Sequence, residues 1–225
     1  MREPIIPYDR VLNRLMPKTA EEQEVDELFY EFKMCIKTRL SDTYVTPPAV
    51  IAVNETVIAT EGNFSASVGK PKSRKTYNVC ALTAAMLSGN KVLGYETCMP
   101  EGKTKVLYAD TEQSHIHCYK VLNRIYKMTG LTPEEVDMRL DLLMLREFSP
   151  KERRDIIDKT LATDPTIGFV VIDSIRDLIR DINSPNESTN IINDLMRWTQ
   201  MYHIHVHTVL HLNKTDDQVR DYPNV

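Results

Sequence analysis

Apolar residues recur at three- and four-residue steps from Val25 through Leu28, Phe29, Phe32, Cys35, Ile36 and Leu40, which predicts an amphipathic helix. Thr19 and Glu22 have the spacing of a capping box at its start. The apolar face would cover the protein's own core or dock on a neighbouring subunit. Pro47-Pro48 breaks the helical period. Beyond it, Ala49–Val53 and Thr56–Thr60 flank Asn54-Glu55 as a hairpin would. Short apolar runs at 63–68, 105–110, 140–145, 168–173 and 204–210 predict strands. Between them, 77–87, 114–129, 150–163 and 187–202 read as helices, Thr132-Pro-Glu-Glu opens a shorter one, and 96–103 reads as a loop. Strands alternating with helices give an α/β fold with a mostly parallel central sheet and helices on both faces. The expected organisation is a helical N-terminal extension, residues 1–46, and an α/β core, residues 47–225.

Composition narrows the function class only a little. Hydrophobic residues make up 42% and charged residues 27% of 225, ordinary for a soluble globular protein. There is no apolar run of membrane-spanning length and no apolar stretch at the N-terminus, so a cytoplasmic protein without a membrane partner is expected. Cys35, Cys80, Cys98 and Cys118 are far apart, which favours reduced thiols over a disulfide framework. A net charge of −4 gives no global attraction to nucleic acid, so any such contact must be local.

The candidate chemistry centres on Gly69-Lys70-Pro71-Lys72-Ser73-Arg74-Lys75-Thr76, set between a predicted strand and a predicted apolar helix. That layout is a phosphate-binding P-loop, in which loop and first-turn N–H groups converge on an anion and the helix dipole adds positive charge. Lys75 would reach the β- and γ-phosphates of ATP, and the Thr76 hydroxyl would hold Mg²⁺. Arg74 stands where the pattern has its second glycine, a position that often penalises a side chain. Arg74 either spoils binding or adopts an allowed conformation and adds a second cation. The plain alternative is a basic loop at a helix start with no nucleotide.

Two later strands carry acids at their ends. Phe169-Val170-Val171-Ile172-Asp173 has the Walker B arrangement, with Asp173 placed to hold Mg²⁺. Lys105-Val-Leu-Tyr-Ala-Asp110 leads to Thr111-Glu112, and Glu112 is the candidate to orient water against a γ-phosphate. Asp110, Glu112 or both could instead cap the following helix, and many α/β strands end in an aspartate such as Asp173. His211 closes the last strand at the same edge.

On these motifs the chain resembles RecA-like P-loop ATPases, most closely a DnaB/RepA-type hexameric replicative helicase branch found in bacterial mobile elements. The resemblance covers residues 60–220. It implies a RecA-like core that continues past residue 225, and a Mg-ATPase coupled to binding or unwinding of single-stranded DNA. It implies Glu112 as catalytic glutamate, Asp173 as Walker B acid and His211 as γ-phosphate sensor, with Lys214 and Arg220 as trans-acting basic residues. It also implies homo-oligomers, including hexamers, with DNA contacts from the loop after Walker B through Arg176 and Arg180; read from its residues alone, that loop is a capped turn into the helix that starts at Ser184-Pro-Asn-Glu187. The alternative is a non-catalytic RecA-like DNA-binding or scaffolding module; a metabolite kinase fits the last strand poorly. His203, His205, His207 and His211 have a spacing that could bind zinc, but a core or interface role is favoured; His115 and His117 read as surface residues.

Overall fold

Five of the apolar runs become strands of one all-parallel sheet. The computed structural model describes residues 20–41, 43, 46–70, 73–181 and 184–211. Strands β3 (Phe64–Gly69), β5 (Lys105–Asp110), β6 (Leu140–Met144), β7 (Ile167–Asp173) and β8 (His205–His211) lie in the order β3-β8-β7-β5-β6. The register sets Gly69 level with His211, and Asp110 level with both Asp173 and Met144. Parallel strands bring all their C-terminal ends to one edge, so the chemistry-bearing residues at those ends become neighbours.

Alternation along the strands sorts side chains into two cores. Val106, Tyr108, Phe169, Val171 and Val209 join helices α2 (Lys75–Ser88), α3 (His115–Thr129) and α4 (Pro133–Arg139) on one face. Leu107, Ala109, Val170, Ile172, Val206 and Leu210 meet α5 (Pro150–Thr163), α6 (Pro185–Tyr202) and a 3₁₀ turn (Ile175–Leu178) on the other. All seven residues of β7 are buried. Two covered faces explain why these strands read as continuous apolar runs. The expected α/β core, a parallel sheet with helices on both faces, is what this strand order and these layers form.

A second sheet, β2-β1-β4, caps the first core with β1 (Ala49–Val53), β2 (Thr56–Thr60) and β4 (Tyr95–Thr97). The stretch 96–103 is therefore not all loop: Tyr95 pairs with Val53 and Thr97 with Ile51. Three residues are too few to show a period, and the pairing comes from β1. Helices α4 and α5 begin in full capping boxes, Thr132/Glu135 and Ser149/Glu152.

Chain contacts group into two compact units, Met1–Thr46 and Pro47–Val225. In the first, helix α1 (Ala20–Ile36) exposes Leu28, Phe29, Phe32 and Ile36, each by more than half. The Thr19 cap lies outside the described residues. Among those residues, no helix is long and apolar enough to cross a membrane.

Candidate functional site

The strand β3 ends at Gly69 because the loop folds back on it. A Cβ there would stand 2.9 Å from Ser73 Oγ, so a larger residue would have to displace that hydroxyl. Pro71 and Lys72 lie outside the described residues. Helix α2 then starts at Lys75, two residues before the predicted Tyr77, with Arg74 as N-cap at φ 64°, ψ 24° and no side-chain cap. The first turn of α2 carries no acidic residue. Its leading N–H groups are thus left for an anion.

Arg74 adopts the left-handed conformation that glycine would supply, so the loop shape survives its side chain. For a non-glycine residue this conformation costs about 1–2 kcal/mol. Arg74→Gly would relieve that strain but loosen the unfolded chain by roughly 0.5–1 kcal/mol. The net expectation is a gain of about 0.5–1 kcal/mol, read as a rise of about 1–4 °C in the thermal midpoint of the nucleotide-free protein. An unchanged or lower midpoint would show that Arg74 makes compensating contacts.

Lys75 is only 8% exposed, and its Nζ donates to Gly69 O at 2.5 Å, Lys70 O at 2.8 Å and Ser73 Oγ at 3.4 Å. Burial lowers its pKa, while Asp173 and Glu112 pull it back up. The ammonium is thus stored on the loop it would leave to meet a phosphate. Asp173, 4% exposed, accepts from Tyr108 Oη at 3.2 Å on Oδ2. Burial, with Asp110 nearby, pushes its pKa up to about 6. A buried carboxylate held at such a cost suits a divalent cation, and half-buried Thr76 opens on the same pocket. The Asp173–Ser174 peptide is cis.

The two acids after β5 divide their roles. Asp110 is buried and its Oδ1 accepts from Glu112 N at 3.2 Å and Gln113 N at 2.8 Å, so it closes the turn. Among the described residues its Oδ2 is buried with no hydrogen-bond partner, and burial raises its pKa. Glu112 is left exposed, with Oε2 3.7 Å from His211 Nε2. Burial and the Lys75 charge lower the His211 pKa. Two adjoining pockets, of about 440 and 550 Å³, share Thr76, Arg124 and His211. The larger also reaches Glu112 and Asp173.

The residue pattern did not single out Arg124, Lys120 and Arg146, which line the larger pocket. A signal existed: His117, Lys120 and Arg124 recur at three- and four-residue steps on α3. His117, expected to be a surface residue, is exposed but also lines this pocket.

The other histidines have structural partners. His205 Nε2 and His207 Nδ1 each lie 2.8 Å from Ser65 Oγ, and His207 Nε2 lies 2.9 Å from Ser67 Oγ. His205 stacks on Phe169. His203 does not join them on a strand face: it ends α6 at φ 52°, beside Glu61. Among the described residues, no group of three or more His, Cys, Asp or Glu could hold a metal ion.

The loop after β7 is partly a 3₁₀ turn from Ile175 rather than irregular from Asp177. Asp177 Oδ2 accepts from Thr111 Oγ1 at 2.9 Å, and Glu187 Oε2 accepts from Arg180 N. Arg176 is half-buried and Arg180 exposed. Lys214 and Arg220 lie outside the described residues.

Residues 41–217 match the AAA domain family, which is most of the chain. The chain belongs to the AAA domain family. Its membership supports a RecA-like, nucleotide-binding ATPase. Among solved structures, the AAA domain is similar to one described as the crystal structure of the RadB recombinase. Identity is 23% and the TM-score 0.47, over 70% of this chain and 66% of that one. No curated protein sequence matches it.

Proposed function

We propose that this AAA domain binds and hydrolyses Mg-ATP, coupled to binding or unwinding of single-stranded DNA. One observation carries the reading: four strand ends deliver Lys75, Glu112, Asp173 and His211 around adjoining pockets. The α2 amides and Lys75 bind the phosphates, with Gly69, Lys70, Ser73 and Arg74, and the neighbouring Pro71 and Lys72, forming the loop. Thr76 and Asp173 would hold Mg²⁺, which neutralises phosphate charge when bound. Glu112 orients and deprotonates water, held in place by the Asp110-closed turn. His211 contacts the γ-phosphate and couples it to β8. Arg176 and Arg180 contact the DNA backbone, and Lys214 and Arg220 reach a neighbouring subunit. A homo-oligomeric, cytoplasmic helicase of the DnaB/RepA type, in replication or mobilisation of a mobile element, is the role that best fits these motifs.

The test is calorimetric titration of Mg-ATP into wild type and Lys75→Ala. Saturable binding to wild type, lost by about 100-fold or more in the variant, is expected, since hydrogen bonds to charged groups contribute about 1.5–3 kcal/mol each. Binding to neither protein would overturn the ATPase reading and leave a non-catalytic DNA-binding or scaffolding module, the reading that the strain at Arg74 favours.

A further inference from the structure

The larger pocket carries more positive charge than the P-loop chemistry uses. Lys120 and Arg124 face it from α3, and Arg146 from just beyond β6, opposite Glu112 and Asp173. None of the three cations has a carboxylate partner among the described residues. The Arg124 guanidinium instead lies over the Tyr77 ring, 5.9 Å from its centroid. Arg153 Nη2 donates to Arg146 O at 2.8 Å, which fixes the segment carrying Arg146. Arg124 also lines the smaller pocket with Lys75 and Thr76.

Across the two pockets five cations, Arg74, Lys75, Lys120, Arg124 and Arg146, meet two carboxylates, Glu112 and Asp173. That surplus of positive charge suits an anionic ligand such as a nucleoside triphosphate. Unpaired guanidinium groups in a concave site are suited to phosphate oxygens, which they meet through two parallel N–H bonds. We infer that Arg124 and Arg146 form a γ-phosphate subsite within a single chain, so that the preference for triphosphate over diphosphate needs no cation from a neighbour. This rests on the nucleotide-binding reading above and adds the part of the nucleotide that these side chains recognise. The placement follows from the fold: α3 carries Arg124 alongside Tyr77 of α2, and Arg146 follows β6, which pairs with β5, so both arginines line the one pocket.

The test measures affinities of wild type, Arg124→Ala and Arg146→Ala for Mg-ADP and for Mg-ATPγS, with each titration repeated at tenfold lower protein concentration. Wild type should bind the triphosphate more tightly at both concentrations. Each variant should lose affinity for Mg-ATPγS by about 10- to 100-fold while Mg-ADP binding stays within about twofold. Arg146 is exposed, so its variant answers the question even if Arg124→Ala does not fold. Equal losses for both nucleotides, no loss in Arg146→Ala, or a triphosphate preference that vanishes on dilution would overturn the subsite. Failure of wild type to bind either nucleotide would instead overturn the underlying reading, and the subsite with it.

Discussion

Replacing Glu112 by glutamine is expected to lower ATP turnover by about 10²–10⁴-fold while leaving nucleotide affinity within a few-fold of wild type. The side chain sits on a turn closed by the buried Asp110 carboxylate and projects to within 3.7 Å of His211 Nε2. Glutamine keeps the length and the hydrogen-bonding oxygen but cannot take a proton from water. Because the Glu112 side chain is 64% exposed, the exchange should not disturb packing. Phosphate release at saturating Mg-ATP, with and without single-stranded DNA, measures the turnover, and calorimetry measures the affinity. Turnover within tenfold of wild type would remove Glu112 from the role of base. Loss of affinity and turnover together would make it a binding residue instead.

Asp173→Asn should do the opposite to the folded protein: stabilise it without nucleotide while ending its response to Mg²⁺. Burial, with Asp110 nearby, raises the Asp173 pKa from 3.8 to about 6. The folded chain therefore holds this proton to higher pH than the unfolded chain does. That contribution to stability is complete below pH 3.8 and is lost as pH rises through 6, leaving a cost of about 3 kcal/mol at neutral pH. Asparagine carries no charge to desolvate and can still accept from Tyr108. The variant should gain most above pH 6, by several degrees in thermal midpoint, with the gain shrinking toward pH 4.

His207 acts in the reverse sense. Burial, with His205 beside it, lowers its pKa from 6.5 to about 4, so its contribution is present above pH 6.5 and lost as pH falls through 4. In wild type the two slopes oppose each other between pH 4 and 6, and the variant should show a steeper loss on acidification. Thermal midpoints from pH 4.5 to 8, with and without Mg²⁺, test both. A variant less stable than wild type at pH 8 would show that Asp173 contributes favourable contacts outweighing its burial.

Local pattern was enough for the architecture of the core. The runs ending in Gly69, Asp110, Asp173 and His211 are apolar because both sheet faces are covered, and that is visible without coordinates. Their shared edge follows from parallel connection, so the convergence of Lys75, Glu112, Asp173 and His211 was also legible. Shorter features were not. Strand β4 exists through pairing with β1, and three residues show no period. The left-handed Arg74 is imposed by the loop around it, against its own preference. The pattern of His203, His205 and His207 looked uniform, but helix α6 ends on the first and Ser65 and Ser67 engage the other two. Arg124 and Arg146 lie 22 residues apart on separate elements, and only the pairing of β6 with β5 brings them to one pocket. Spacing along a chain reports a helix face or a strand face. Which elements meet depends on sheet order and register, and those are set by long-range pairing.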